Sequence, residues 1–281
     1  MTIVLSRTDA LAIEAAELDA WRDMYSAIPD SFRRQHEPEL LEIDGAIVMR
    51  CRSIPFVHFN AALNLGLQAP ATEATVDAIV AAYRAATIRR FAILHNPMCL
   101  PAALTGWLES RGFQARPGWD RVFRLGGSPA PDAPPARGDI IFVSEETAAT
   151  WAGFLDGWYR LPTSPWLAAL VGRRSWRHAM LVRDGKPVAA RSMFVQSGRS
   201  AWFGVEAPIP GLMAPSFDDD HCLLHALMAE AIGAGAQVFA GDVEAPNESR
   251  SGAAYDRWTA LGFAVAYHRT HYVYDGEVRS G

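Results

Sequence analysis

Lysine, cysteine and long apolar runs are all scarce in this sequence. The 281 residues include one lysine, Lys186, among 26 basic residues, and only three cysteines. Cys51, Cys99 and Cys222 are far apart and form no CxxC pair, which argues against a disulfide framework or a zinc ribbon and fits a reducing cytoplasm. No apolar run approaches the roughly 20 residues that a transmembrane helix needs. We therefore expect a cytoplasmic protein that does not enter a membrane.

The charge pattern also narrows the class of protein. Asp9, Glu14, Glu17 and Asp19 interrupt the N-terminal segment where a signal peptide would be uniformly apolar, so no signal peptide is expected. The net charge of −5 provides no field that attracts nucleic acid. Half of the residues are hydrophobic and a fifth are charged, as in globular proteins. We expect a globular protein with no nucleic-acid partner.

Proline and glycine concentrate in one segment, Gly126–Pro135, which includes four prolines. Such a segment is incompatible with a helix or a central strand. It predicts an N-terminal domain over residues 1–126, a linker over residues 127–137 and a C-terminal domain over residues 138–281. Each predicted domain has an ordinary size.

The two predicted domains repeat one order of elements. In the first, Thr72 is placed to cap a helix over Glu73–Ala86, and a short buried strand follows at Phe91–Leu94. The next helix ends at Gly112-Phe113, where glycine suits a left-handed C-cap.

In the second domain, a helix is predicted over His221–Ile232, a strand over Gln237–Val243 and a helix over Ala253–Ala260 that ends at Gly262-Phe263. Three strands joined by hairpin turns precede these elements, over residues 176–182, 187–196 and 200–207. A repeat of this length predicts a duplicated α/β domain with a mixed sheet.

This order, together with three short motifs, resembles the GNAT superfamily of N-acyltransferases. The motifs are Asp184–Ala190, Ala253–Phe263 and, in the first half, Phe59–Leu67. The resemblance covers most of both halves and is closest to the tandem form, in which two GNAT folds share one chain. It implies an α/β fold with two GNAT-like domains, of which the C-terminal one is functional. It also implies transfer of an acyl group from acetyl-CoA or another acyl-CoA to a small amine, with no metal.

The segment that corresponds to the family's pyrophosphate loop departs from the family pattern. Members of the family bind the pyrophosphate with R/Q-x-x-G-x-G/A, whose backbone amides and helix N-terminus face the anion. Here the segment is Ala214–Leu223, which lacks the glycines and contains Asp218, Asp219 and Asp220. Two like charges 4 Å apart repel by about 4 kcal/mol at an effective dielectric constant near 20. Conventional binding of CoA therefore conflicts with this loop.

The three aspartates admit three interpretations. They can cap the following helix, because carboxylates stabilise its positive end. They can bind an ammonium or guanidinium group of a cationic substrate. They can also bind a metal, with Asp218, Asp220, His221 and His225 as ligands, although the spacing matches no strong metal motif.

The resemblance assigns catalytic roles to two residues. Glu206 ends the predicted strand Ser200–Ala207, where family members often place a general base, and partial burial would raise its pKa usefully. Its alternative role is a glutamate that faces solvent. Tyr255 is the candidate general acid for the leaving thiolate, although the usual place of the family's tyrosine is Trp258 here. The alternative for Tyr255 is a structural ring.

Five further positions are candidates for ligand binding. The backbone near Val205 and Ala207 is expected to hold the pantetheine arm, and Asn247 either contacts the ligand or serves a turn. Trp158 and Tyr159 lie in a region that borders the acceptor site in GNAT folds. Their rings suit a small-molecule pocket, or equally the core.

The leading hypothesis is therefore a GNAT-like acyltransferase that acts on a small amine. The alternative is a GNAT-fold protein that no longer uses acyl-CoA. Such a protein would be either a non-catalytic binding protein or an enzyme of different chemistry with an acidic pocket for a cationic substrate.

Overall fold

The structure of the chain is a computed structural model that describes residues 5–127, 135–196, 200–209, 217–244 and 252–276. The helices are α1 (Arg7–Ser26), α2 (Asp30–His36), α3 (Glu73–Ala85), α4 (Leu104–Ser110), α5 (Ala148–Tyr159), α6 (Ser164–Ala168), α7 (Asp218–Gly233) and α8 (Ala253–Ala260). The strands are β1 (Glu39–Ile43), β2 (Ala46–Arg50), β3 (Ala61–Leu63), β4 (Arg90–His95), β5 (Gln114–Leu125), β6 (Asp139–Phe142), β7 (Trp176–Arg183), β8 (Lys186–Val195), β9 (Ser200–Ala207), β10 (Val238–Glu244) and β11 (Ala264–Asp275). The predicted α/β class is confirmed.

The repeated order of elements is present in the structure. A strand, a helix, a strand, a helix and a strand follow one another as β3-α3-β4-α4-β5 and again as β9-α7-β10-α8-β11. Helix α3 begins as predicted, because the side chain of Thr72 accepts a hydrogen bond from the backbone N–H of Thr75 at 3.1 Å. Helix α7 begins at Asp218, three residues before the predicted start at His221. Its first turn consists of the three aspartates, which are favourable at the positive end of a helix.

Packing contacts divide the chain into two compact units that differ from the predicted consecutive domains. Unit 1 comprises Met1–Pro29 and Arg121–Ala266, and unit 2 comprises Asp30–Asp120 and Tyr267–Gly281. Helix α1 joins unit 1 because it packs on β8, β9 and β10, whereas most of β11 joins unit 2 because it pairs with β4. These contacts link distant segments, so a linker's composition cannot reveal them. Of the linker predicted over residues 127–137, residues 128–134 lie outside the described residues.

Unit 2 contains a mixed sheet with the strand order β1-β2-β3-β4-β11. Strands β1, β2 and β3 are antiparallel, β3 and β4 are parallel, and β4 and β11 are antiparallel. Helix α3 buries Val76, Ile79, Val80 and Tyr83. The ring of Tyr83 stacks on that of Phe91 in β4 with 4.0 Å between centroids, so the helix covers this sheet.

Unit 1 contains a second mixed strand arrangement, β5-β10-β9-β8-β7-β6, to which β5 contributes its part from Arg121 onward. Strands β10 and β9 are parallel, and β9, β8, β7 and β6 are antiparallel. Successive side chains of a strand point to opposite faces of a sheet. Accordingly Trp202 meets Trp21 of α1, whereas Phe203 meets Phe239 and Trp258 on the face that α7 and α8 cover. The core on this second face includes Met193, Ala201, Phe203, Leu223, Leu224, Leu227, Met228, Phe239, Trp258, Leu261 and Phe263.

In the part of the chain that the structure describes, no helix is both long enough and apolar enough to cross a bilayer.

Candidate functional site

Strands β9 and β10 of unit 1 pair along only part of their length. Their parallel pairing extends over three residue pairs, from Val238↔Ser200 to Ala240↔Trp202. Beyond that point β9 continues to Ala207 and β10 to Glu244, and within these described segments no further pair joins the two strands. The second half of β9 therefore has backbone groups on its β10 side that this ladder does not use.

Two glycines allow tryptophan rings to lie directly on these strands. A Cβ atom at Gly241 of β10 would lie 2.5 Å from the ring of Trp258, and one at Gly204 of β9 would lie 2.4 Å from the ring of Trp202. Real Cβ contacts are longer than this. The place where the strands stop pairing is therefore bordered by Trp258 on the face of α7 and α8 and by Trp202 on the other face.

A β-bulge controls the direction of Glu206. Between the pairs Met193↔Phe203 and Arg191↔Glu206, β8 advances by two residues and β9 by three. The extra residue in β9 is a bulge, which reverses the alternation of side chains. Without it, Phe203 and Glu206 would point to opposite faces. With it, both point to the face of α7 and α8, and Glu206 stands opposite Arg191.

Four charged side chains, Arg191, Glu206, Asp220 and Arg257, form what we name the Glu206 cluster. Nη1 of Arg191 lies 2.5 Å from Oε2 of Glu206, and its Nε lies 3.0 Å from Oδ1 of Asp220. Nη1 of Arg257 donates to Oδ2 of Asp220 and lies 3.9 Å from Oε2 of Glu206. Arg191, Arg257 and Asp220 are buried, whereas a fifth of the Glu206 side chain is exposed. The two positive and two negative charges balance, as burial of charge requires.

Aromatic rings hold the two arginines in place. The guanidinium carbons of Arg191 and Arg257 lie 5.6 and 4.9 Å from the ring centroid of Trp258. The guanidinium of Arg257 also lies 5.6 Å from the ring centroid of Phe217. These distances are in the range of cation–π attraction. Trp258 therefore contacts both cations of the cluster.

The environment of Glu206 raises its affinity for a proton. Burial raises the pKa of Glu206 and the charge of Asp220 raises it further, while Arg191 and Arg257 oppose the shift. The hydroxyl of Tyr159 donates to the backbone carbonyl of Glu206. Burial, followed by the charge of Glu206, raises the pKa of Tyr159, so its hydroxyl stays protonated and remains a donor. A carboxylate with a raised pKa is suited to accept a proton near neutral pH.

The carboxylates of the first turn of α7 have internal partners. Asp219 accepts a hydrogen bond from Arg183 at 2.8 Å, and Asp220 is paired with both arginines of the Glu206 cluster. Two of the three carboxylates therefore lie beside arginines. The positive charges of these arginines weaken the repulsion that the carboxylates would exert on a bound anion. Phe217, at the N-cap of α7, makes no capping hydrogen bond with its side chain. Among the described residues, no three or more His, Cys, Asp or Glu side chains are grouped so as to hold a metal ion.

The structure brings some of the residues predicted from sequence together. Tyr159, at the end of α5, meets the backbone of Glu206. Val205 and Ala207 lie in the part of β9 beyond its pairing with β10. Asp220 joins the same site through Arg191.

For two further predicted residues, Trp158 and Tyr255, the structure shows other neighbours, and their functional roles stay predictions. Trp158 is 40% exposed, and its ring stands edge-on to that of Phe154 on the same helix. Tyr255 is half-buried and packs against the apolar core of unit 1. Asn247 lies outside the described residues.

Sequence analysis missed both arginines of the cluster. Arg191 is the one charged residue in the mostly apolar stretch 188–194 of a predicted strand, and a charge in such a stretch requires a buried partner. That signal was present in the sequence. Arg257 carried no such signal, because it lies in a helix with other polar residues.

Comparison with known proteins identifies the fold. No protein-family model and no curated protein matches the chain. Among solved structures, it is similar to a GCN5-related N-acetyltransferase from Kribbella flavida, with a TM-score of 0.61, 14% identity and coverage of 99% of this chain and 98% of that one. A GCN5-related N-acetyltransferase from Sphaerobacter thermophilus matches with a TM-score of 0.57 and 11% identity over 81% of this chain and 79% of that one. A protein of unknown function from Staphylococcus epidermidis matches with a TM-score of 0.55 and 10% identity, over 86% of this chain and 95% of that one.

The chain has the fold of the GNAT superfamily, as the resemblance of its motifs implied. At these identities the likeness establishes the fold alone.

Proposed function

We propose that the protein is an N-acyltransferase that transfers an acyl group from an acyl-CoA to a small amine, at the Glu206 cluster of unit 1. The observation that carries the proposal is the bulge in β9. It directs a carboxylate of raised pKa to the place where β9 and β10 stop pairing. A base beside an accessible strand edge is the arrangement that transfer to an amine requires.

The residues present fit an acyl-CoA in two respects. The backbone of β9 near Val205 and Ala207 has groups that the ladder with β10 does not use, and these suit the amide groups of a pantetheine arm. Arginines also neutralise Asp219 and Asp220 at the start of α7. When bound, acyl-CoA would supply an acyl group activated as a thioester. Asn247 remains a proposed contact of this ligand.

In this proposal Glu206 is the general base that takes a proton from the ammonium group of the acceptor. Its raised pKa makes that proton transfer easier than for an ordinary glutamate. Arg191 orients the carboxylate through Oε2, and Tyr159 holds the backbone at the same residue. Tyr255 is the proposed proton donor to the leaving group, and Trp158 a proposed contact of the acceptor.

A second function is favoured by the first turn of α7, which has three aspartates where the family has glycine and arginine. This would be a GNAT-fold protein that does not use acyl-CoA, either a binding protein or an enzyme of different chemistry that acts on a cationic substrate. The two proposals differ in whether acetyl-CoA binds.

The test combines calorimetry with a turnover assay. Acetyl-CoA is titrated into the wild-type chain and into Glu206→Gln, and thiol release is then followed with a panel of amines. We expect both proteins to bind acetyl-CoA in the micromolar range, and Glu206→Gln to lose roughly 10²- to 10⁴-fold in turnover. Glu230→Gln, at an exposed position of α7, is the matched control. If the folded wild type does not bind acetyl-CoA at millimolar concentration, the acyltransferase proposal is wrong and the second function replaces it.

A further inference from the structure

Arg257 offers a pair of hydrogen-bond donors that the described residues leave unused. A guanidinium has five N–H donors in a fixed plane. Nη1 of Arg257 serves Asp220 and lies near Glu206. Its Nε is buried and makes no hydrogen bond, and among the residues described here none accepts a bond from Nη2. Nε and Nη2 lie side by side, and together they form an edge suited to two parallel hydrogen bonds.

This edge has a fixed position. The side chain of Arg257 is 96% buried, and its guanidinium lies over the rings of Phe217 and Trp258. Its charge is anchored on Asp220. A buried donor without a partner is unfavourable, so a fixed donor edge that no described residue fills points to a ligand that supplies the acceptor oxygens.

The chemistry of the edge and its surroundings favours a carboxylate. A carboxylate is planar, and its two oxygens match two parallel N–H donors. The two positive and two negative charges of the Glu206 cluster already balance. Each negative charge that a ligand brings is therefore repelled by the carboxylates of Asp220 and Glu206 without a spare positive charge to offset the repulsion. A monoanion therefore costs less than a phosphate dianion at this place.

We propose that the acceptor is an amino acid, whose carboxylate binds the Nε–Nη2 edge of Arg257 and whose amine lies at the carboxylate of Glu206. Nη1 of the same guanidinium lies only 3.9 Å from Oε2 of Glu206. The guanidinium and the carboxylate are thus neighbours, and one small zwitterion can reach both groups. A zwitterion also adds no net charge to a balanced, buried cluster.

The inference rests on the proposed acyl transfer for the role of the amine. In that reaction the amine nitrogen forms a bond to the acyl carbon of the thioester, and the bond from that carbon to sulfur breaks. Glu206 takes the first proton, which the ammonium loses before attack. The second proton, which the nitrogen loses after the bond forms, replaces the one that Tyr255 or solvent gives to the released thiolate. The products are an N-acylamino acid and free CoA.

The test compares amino acids with their own carboxamides, which keep the amine and side chain but lose the carboxylate. Binding of each is measured by equilibrium dialysis, and acylation is measured with acetyl-CoA. We expect the acids to bind and react at least about tenfold better than the matched amides. This ratio corresponds to the loss of at least one hydrogen bond to a charged group.

Arg257→Lys separates the donor edge from the charge. Lysine keeps a positive charge beside Asp220 but has no pair of parallel donors, so it should abolish the preference for acids and leave the fold intact. Arg173→Lys is the matched control, because Arg173 makes the same kind of paired contact, with Asp23, outside the Glu206 cluster. It should retain the full preference.

The outcomes distinguish this inference from the proposed function. If amides react as well as acids, the protein is an acyltransferase and the carboxylate site is wrong. If acids bind with the expected preference but no acyl group is transferred, the site stands and the proposed reaction fails. If neither is bound, or if Arg257→Lys keeps the preference, the inference is overturned.

Discussion

Two strand pairs that hold the same place in the repeated order of elements are built differently. In unit 2, β3 and β4 are parallel, and the segments that follow them stay joined by backbone hydrogen bonds. Leu100 donates to the carbonyl of Gly66 at 2.9 Å, and Ala71 donates to the carbonyl of Leu100 at 2.8 Å. In unit 1, the ladder between β9 and β10 ends after three pairs. Backbone hydrogen bonds therefore continue beyond the ladder of the first pair, whereas in the described part of the second pair no strand pairing follows the third residue pair.

The helices that follow β3 and β9 show the same contrast. Helix α3 has a conventional N-cap at Thr72, and Thr75 in its first turn donates to Asp44. Helix α7 has no side-chain cap, and Asp220 in its first turn pairs instead with Arg191 and other residues of the Glu206 cluster. One order of elements therefore supports a capped helix start in unit 2 and a helix start that joins a buried charge cluster in unit 1. This difference supports our proposal that the acyl transfer takes place in unit 1.

The largest effect is expected where the charge balance of unit 1 is broken. Arg191→Met removes one of the two arginines that Glu206 and Asp220 share and leaves a net negative charge in the buried cluster, so the free energy of unfolding should fall by about 3–5 kcal/mol. The measurement is urea unfolding at neutral pH.

Arg90→Met in unit 2 is its control, because Arg90 pairs with Asp275 in an exposed ion pair. Pairs of that kind add little to stability, so this change should be barely measurable. Equal effects of the two substitutions would contradict the role given to the buried charges.

Glycine substitutions test how each strand pair is closed. A Cβ at Gly66 would lie 2.4 Å from the backbone oxygen of Leu100, and its φ of +80° is unfavourable for alanine. At Gly241 the clash is with the ring of Trp258. Both changes to alanine should lower the free energy of unfolding by about 1–3 kcal/mol, with the larger loss at Gly66 because a backbone atom cannot move aside.

The control for these substitutions is Gly153→Ala in α5, where a Cβ would meet nothing within 4 Å. This change should raise the free energy of unfolding by up to about 1 kcal/mol, because alanine is the better helix former. A larger loss at Gly241 than at Gly66 would show that Trp258 is held more rigidly than the backbone of Leu100.

The smallest effect is the dependence of stability on pH. A carboxyl group with a raised pKa holds its proton more tightly in the folded than in the unfolded protein. Its contribution to stability is present at low pH and is lost as the pH rises through its folded pKa. The free energy of unfolding of the wild type, compared with that of the Glu206→Gln variant, should therefore fall as the pH rises from acid to neutral. The loss is about 1.4 kcal/mol for every tenfold difference in proton affinity between the folded and unfolded protein, and urea unfolding at a series of pH values measures it.

Asp23 should behave in the opposite way. Burial raises the pKa of Asp23, but hydrogen bonds from Arg173 and Trp176 outweigh burial and lower it. At neutral pH the wild type should therefore have a higher free energy of unfolding than the Asp23→Asn variant. This difference should disappear as the pH falls. Parallel pH profiles for the two pairs would contradict these assignments.

Much of the fold could be predicted because its signals are local. The cap at Thr72, the turn at Asp184-Gly185 and the three strands of the hairpin series lie close to their predicted places. Each depends on residues only a few positions apart. The sequence also placed the candidate base Glu206 at a strand end. It could not predict which face of the sheet the Glu206 side chain points to, because the bulge in β9 reverses the alternation of side chains between the two faces.

The sequence by itself determined the α/β class, the repeated order of elements and the acidic first turn of α7. Only the tertiary structure decided which residues neutralise that turn. Arg191 lies 29 positions before Asp220, and Arg257 lies 37 positions after it. The physical reason is that buried charges must find partners in space. Residues that distant in sequence meet only when β8, α7 and α8 pack together.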